Sequence, residues 1–188
     1  MTALPDWMIN SGEGLTVADY EALPEEVCRR IEIVDGGVVV SPSPARVHQR
    51  IARRLANALE AVDPSRFGVE TDIDLRLRDV PLLVRRPDVV VYDASLPEDA
   101  DLRPDNCLLV VEVMSPGSVT TDRADKPTEY ATAGIQHFWR VENDDQTINV
   151  FRYQLDPMTR TYALAGLDKG KLSIEDPIVL DLDLEVLR

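Results

Sequence analysis

The sequence predicts an α/β protein, a mixed sheet flanked by helices, and three patterns carry that prediction. Two near-continuous apolar runs, Val89–Tyr92 and Leu108–Val111, have the character of strands covered on both faces. Val69, Thr71, Ile73, Leu75 and Leu77 alternate with Glu70, Asp72, Asp74 and Arg76, the period of two of a half-buried strand. Val47, Ile51, Leu55 and Leu59 recur every four residues, the spacing of one helical face.

Taken in order, residues 1–15 form a lead-in segment and residues 16–188 a single domain. Thr16 caps a short helix through about Ala22, with Val17 and Tyr20 on one face, and Pro24 ends it. Arg30–Val34 and Val38–Val40 flank Asp35-Gly36-Gly37 and read as a β-hairpin. Ser43 as N-cap and Pro44 at the first helical position open a helix to about Val62. Its second face carries Arg46, Arg50 and Arg53. Residues 94–106, rich in Pro, Asp and Glu, form an exposed loop. A helix over Thr128–Ala133 ends at Gly134. His137–Glu142 and Thr147–Tyr153 form a second hairpin around Asn143-Asp144-Asp145, and Ile178–Leu182 is a final strand. With no repeat, one mixed sheet is the economical account.

Bulk properties narrow the function. The 188 residues are 44% hydrophobic and 29% charged, ordinary for a globular chain. No apolar run approaches the roughly 18 residues of a membrane span. The first residues lack the basic start and apolar core of a secretory signal. Cys28 and Cys107 lie far apart without metal or redox spacing, so a cytoplasmic location is expected. A net charge of −14 argues against a protein that coats nucleic acid nonspecifically. Local charge differs, however. Arg46, Arg50, Arg53 and Arg54 share an acid-free stretch with His48, and Arg85-Arg86 precede Asp88. An acidic protein with one basic groove satisfies both facts.

Asp88 and Glu112 are the residues on which chemistry rests. Glu112 interrupts Leu108–Met114, and a carboxylate in a buried strand costs several kcal/mol unless paired, hydrogen-bonded or metal-bound. Asp88 opens the other apolar run. If the two strands are antiparallel neighbours, the start of one meets the end of the other and the acids stand side by side. A cation between them relieves their repulsion, and hard oxygen ligands select Mg²⁺ or Mn²⁺. Taken singly, Asp88 also reads as a turn cap, and Glu112 as the partner of a core arginine such as Arg140.

Several segments together resemble the Uma-two family of restriction-endonuclease-like proteins, within the PD-(D/E)XK superfamily. They are Arg86-Pro87-Asp88-Val89-Val90-Val91, Val111-Glu112-Val113-Met114-Ser115-Pro116, and Asp122…Lys126…Tyr130…Gly134-Ile135…Phe138-Trp139. Glu32-Ile33-Val34-Asp35-Gly36 and Ser43-Pro44…His48 extend the likeness, which covers Thr16 to the C-terminus. The resemblance implies a restriction-endonuclease-like αβββαβ core, with an extra N-terminal helix and hairpin and C-terminal strands. It also implies Asp88 and Glu112 as metal ligands and Glu32 as an accessory acid. The superfamily motif places Lys two residues after the acid, where this chain has Met114. The family supplies its lysine from the next helix, and Lys126 matches. Asp122, Lys126 and Tyr130 share a helical face at i, i+4, i+8 spacing. Pro127 disfavours helical geometry at Lys126, placing it at the helix start. A solvated Asp–Lys pair is the alternative there, and a hairpin residue facing solvent is the alternative for Glu32.

His48 reads as a phosphate contact or an exposed helix-face histidine, and Tyr130 and Trp139 read as core. There is no GxSxG elbow, phosphate-binding glycine loop or zinc-ligand spacing. The expectation is a Mg²⁺-dependent endonuclease that hydrolyses DNA phosphodiester bonds. Asp88, Glu112 and Lys126 would be catalytic, with Arg46, His48, Arg50, Arg53 and Arg86 along the nucleic acid. By analogy with nucleases that meet two strands, a homodimer is expected. The alternatives are a non-catalytic nucleic-acid-binding or regulatory module on the same fold, and a structural protein assembling through a sheet edge.

Overall fold

The computed structural model describes residues 14–40, 44–115, 121–144 and 147–188. Thr16 caps α1 (Val17–Glu21): Asp19 donates its N–H to the Thr16 hydroxyl, and the Asp19 carboxylate accepts the Thr16 N–H at 2.9 Å. A single turn, α2 (Glu25–Cys28), follows. Strands β1 (Ile31–Val34) and β2 (Gly37–Val40) pair antiparallel. Asp35 and Gly36 both have positive φ, 51° and 79°, as a two-residue hairpin turn requires.

Helix α3 (Arg46–Glu60) starts after Ala45, later than the Ser43-Pro44 signal predicts; Ser43 lies outside the described residues. Ile51, Leu55 and Leu59 are buried as expected, but Val47 is 41% exposed and His48 turns inward.

The alternating stretch is not one strand. Phe67–Glu70 forms β3 and Leu75–Asp79 forms β4, with Asp72 at a positive φ of 54° between them. Alternation continues through the bend, so period alone could not reveal it. Strands β5 (Leu82–Arg85), β6 (Val89–Asp93) and β7 (Cys107–Val113) follow. Leu102, within the predicted exposed loop, is buried and bridges to Leu75. Helix α4 (Lys126–Ala133) ends at Gly134, whose φ of 96° is the left-handed cap. The second hairpin is β8 (His137–Asp144) and β9 (Thr147–Asp156); Asp145 lies outside the described residues. Then come β10 (Thr161–Lys169), β11 (Lys171–Ile174) and β12 (Leu180–Asp183).

Six strands lie in the order β10-β9-β8-β7-β6-β3, with β7 and β8 the parallel pair. The succession α3, β3, β6, β7, α4, β8 is the expected αβββαβ order. The β4-β5 hairpin leaves between β3 and β6 and joins β1 and β2 in a second sheet, β2-β1-β5-β4, while β11 and β12 pair separately. Where one mixed sheet was the economical reading, three sheets are observed among the described residues. On one face of the large sheet, Val89, Val91, Val111, Val113 and Trp139 pack with Ile51, Leu55 and Leu59 of α3. On the other, Val90, Val110 and Phe138 pack with Tyr130 of α4. Tyr130 and Trp139 are both core, as expected. Among the described residues no helix is long and apolar enough to cross a membrane.

Candidate active site

Strands β6 and β7 are antiparallel neighbours with Val89 opposite Val111. That register sets Asp88, just before β6, across from Glu112 near the end of β7. The Val113 N–H donates to Asp88 Oδ2 at 2.7 Å, and His48 Nε2 lies 3.1 Å from the same oxygen. His48 is 9% exposed and reaches Asp88 from the first turn of α3. It is therefore a buried partner of the acid and not an exposed helix-face histidine.

Glu112 is 2% exposed, and α4 supplies its partners. Lys126 Nζ donates to Oε2 at 2.9 Å, and the Tyr130 hydroxyl donates to Oε1 at 2.6 Å. Lys126 and Tyr130 are four residues apart and so share a helical face. Lys126 is the first residue of α4, which follows a π-turn at Thr121–Asp125. Pro127 sits in the first turn, where a missing N–H breaks no helical bond. Lys126 is buried, which excludes the solvated surface pair; the Asp122 side chain lies outside the described residues.

Behind Lys126 is a second layer of charge. Arg85 donates through one Nη to Glu32 Oε2 at 2.9 Å, and through Nε and the other Nη to Glu129 at 2.6 and 2.8 Å. The other Glu32 oxygen accepts the Arg86 main-chain N–H at 3.0 Å and lies 3.9 Å from Lys126 Nζ. Both Glu32 oxygens are thus directed into this network. Burial opposes the charge on Arg85, but Glu129 and Glu32 outweigh it and hold the guanidinium above its ordinary value. Burial, then the charges of Glu112 and Glu32, push the Tyr130 phenol well above its ordinary value of 10.0, so it remains a donor.

The donor set suits a hard divalent cation. Asp88 Oδ1 accepts no hydrogen bond among the described residues, and carboxylate oxygens are the hard ligands that such a cation prefers. Among the described residues no group of three or more His, Cys, Asp or Glu is placed to hold a metal ion.

Arg46, Arg50 and Arg53 lie exposed along α3. Arg86 is directed elsewhere: its buried guanidinium pairs with Asp72 and Asp74, bracing the bend between β3 and β4. Arg140 stands opposite Glu112 on β8, yet its Nε donates to Glu142 at 2.9 Å. Two residues escaped the sequence reading. Arg85 ends an apolar run, Leu82-Leu83-Val84, as Glu112 nearly does, and that was a signal. The Tyr130 hydroxyl gave none, because a core tyrosine looks the same with or without an acid beside it. Cavities of about 320 and 560 Å³ lie elsewhere, and none of Asp88, Glu112 or Lys126 lines them.

A family model described as "Putative restriction endonuclease", the Uma2 (Uma-two) family, matches residues 17–186. A solved structure described as "a putative nuclease belonging to DUF820", from Anabaena variabilis, superposes with a TM-score of 0.67. At 17% identity it covers 92% of this chain and 97% of its own, which is likeness of fold. No curated protein matches. The ordered motifs around Asp88, Glu112 and Lys126 and the family match over residues 17–186 agree: this chain belongs to the Uma2 family of restriction-endonuclease-like proteins.

Proposed function

We propose that the protein is a Mg²⁺- or Mn²⁺-dependent endonuclease that hydrolyses DNA phosphodiester bonds at Asp88 and Glu112. The observation that carries this reading is the Lys126 ammonium 2.9 Å from Glu112, beside an Asp88 oxygen that accepts no hydrogen bond among the described residues. A lysine from α4 thereby reaches the acid that Met114 cannot serve. A divalent cation on the two carboxylates would lower the pKa of water and offset charge on the scissile phosphate. The chain's own residues do the rest. Tyr130 fixes one Glu112 oxygen, and His48 with the Val113 N–H fixes Asp88. Lys126, held between Glu112 and Glu32, offers a cation to the attacking water or to charge developing on the phosphate. Arg46, Arg50 and Arg53 contact the DNA backbone along α3. Residues 16–188 act as one domain in the cytoplasm, and two copies present two sites to a duplex.

The test is cleavage of plasmid and single-stranded DNA with Mg²⁺, Mn²⁺ or chelator, beside Asp88→Ala. Metal-dependent cleavage that Asp88→Ala abolishes is expected; cleavage surviving the substitution overturns the assignment. The particle mass in solution tests the dimer.

One observation favours a second reading, a binding module without turnover. Both Glu112 oxygens already serve Lys126 and Tyr130, a neutralised arrangement that is stable as it stands. DNA binding unchanged by metal, with no cleavage, would establish that reading.

A further inference from the structure

Arg140 lies beside the site and takes no part in the network described above. The parallel register of β7 and β8 pairs it with Glu112, so both side chains rise from one face of the sheet on strands about 4.8 Å apart. An ion pair would be the ordinary outcome. Instead, Arg140 Nε donates to Glu142 at 2.9 Å, and the guanidinium carbon lies 4.5 Å from the ring centre of Phe151 and 5.5 Å from that of Tyr153. The rings and Glu142 hold the planar group in place from two sides. Its two Nη groups meet no acceptor among the described residues, and neither is enclosed. Arg123 reaches the same Glu142 oxygen at 2.9 Å. Two guanidiniums thus share one carboxylate and leave a positive excess, in a chain whose net charge is −14.

We infer that Arg140 holds a second phosphate of the bound strand, next to the phosphate that meets Asp88 and Glu112. The site therefore takes polynucleotide strands in preference to isolated phosphodiesters. This rests on the nuclease reading above. A stacked guanidinium with two free Nη groups suits an anionic oxygen pair, and its rotamer freedom is already lost before the ligand arrives. The neighbouring carboxylate is satisfied from α4, so Arg140 is not required there.

The experiment compares two substrates with Mg²⁺: a single-stranded oligodeoxynucleotide, and bis(p-nitrophenyl) phosphate, which carries one phosphate only. Arg140→Met lowers kcat/KM on the oligonucleotide by about 10- to 100-fold, chiefly through KM, and far less on the single phosphodiester. Arg140→Lys recovers only part, because a point charge does not replace the fork. In binding titrations of the same oligonucleotide with chelator present, Arg140→Met reduces the slope of log K against log salt by about one. Arg29→Met, at the C-cap of α2, leaves the slope in place. Equal losses on both substrates, or an unchanged slope, overturn the inference. A reduced slope in a protein that hydrolyses neither substrate removes the nuclease reading and keeps the phosphate site. Failure to bind the oligonucleotide at all overturns both.

Discussion

The two faces of β7 differ in what they bury. Leu109, Val111 and Val113 point toward α3 into an apolar face closed by Ile51, Leu55 and Trp139. Val110 and Glu112 point toward α4, where the apolar floor of Tyr130 and Phe138 gives way to Glu112, Lys126, Arg85 and Glu32. Both faces are equally buried, so burial does not distinguish stability from chemistry here. The distinguishing feature is that every charge on the second face has a partner of opposite sign or a hydroxyl donor, arranged around one acid. An acid placed on the dry face would meet none of these.

This contrast predicts different consequences for substitutions only a few residues apart. Glu112→Ala removes the carboxylate that the Lys126 ammonium and the Tyr130 hydroxyl share in a buried site. A broken buried pair costs roughly 3–5 kcal/mol, and cleavage is lost as well. Leu109→Ala, on the opposite face, costs about 2–5 kcal/mol through the cavity it leaves, while the surviving folded protein keeps its activity. Urea denaturation together with cleavage assays on the same samples separates the two. If Leu109→Ala inactivates folded protein as fully as Glu112→Ala, the faces are not functionally distinct.

Tyr130→Phe is the finer cut. It removes only the hydroxyl that donates to Glu112 Oε1 at 2.6 Å and leaves the ring packed near Phe138. A hydrogen bond to a charged group contributes about 1.5–3 kcal/mol, so the urea midpoint should fall with little change in slope. Glu112, less tightly held, should bind Mn²⁺ with altered affinity. An unchanged midpoint would mean that the hydroxyl finds water instead and that the network is wetter than its burial indicates.

Much of this was legible in the residues. Apolar runs on both sides of an acid cannot lie in a covered sheet unless the acid is satisfied, and that inference holds for Glu112. The helix containing Lys126 followed from Gly134 as its cap and from the spacing of Lys126 and Tyr130. What escaped was long-range. Arg85 meets Glu129 only because the β4-β5 hairpin leaves the large sheet, and the bend that sends it away sits in an unbroken alternation at Asp72. Arg86, in turn, looked available for nucleic acid because Asp72 and Asp74, 14 and 12 residues before it, face it only after that bend. His48 seemed exposed because helical periodicity identifies a buried stripe without fixing its edges, and the stripe of α3 is turned by about one residue from Val47 toward His48. Period describes local geometry; partners across sheets are set by topology.

Alkaline titration gives the smallest effect and probes the same face. Burial pushes the Cys107 thiol up to about 12 from an ordinary 9.0. Tyr20 and Tyr162 are raised as well, each chiefly by burial, and Tyr130 most clearly sits among acids. In each case the unfolded chain loses its proton at a lower pH than the folded one. Stability is therefore fully present below the unfolded values and declines as pH rises above them. The thiol begins the decline near pH 9.0, and the tyrosines steepen it above 10.0. Each such group contributes at most about 1.4 kcal/mol per pH unit. Tyr130→Phe should leave the onset near 9.0 unchanged and flatten the steeper segment above 10.0, because one retained proton is gone. Denaturation midpoints measured at successive pH values read this directly. A Tyr130→Phe curve parallel to the wild-type curve throughout would show that the folded chain ionises Tyr130 as readily as the unfolded one, and that its burial beside Glu112 and Glu32 does not hold the proton.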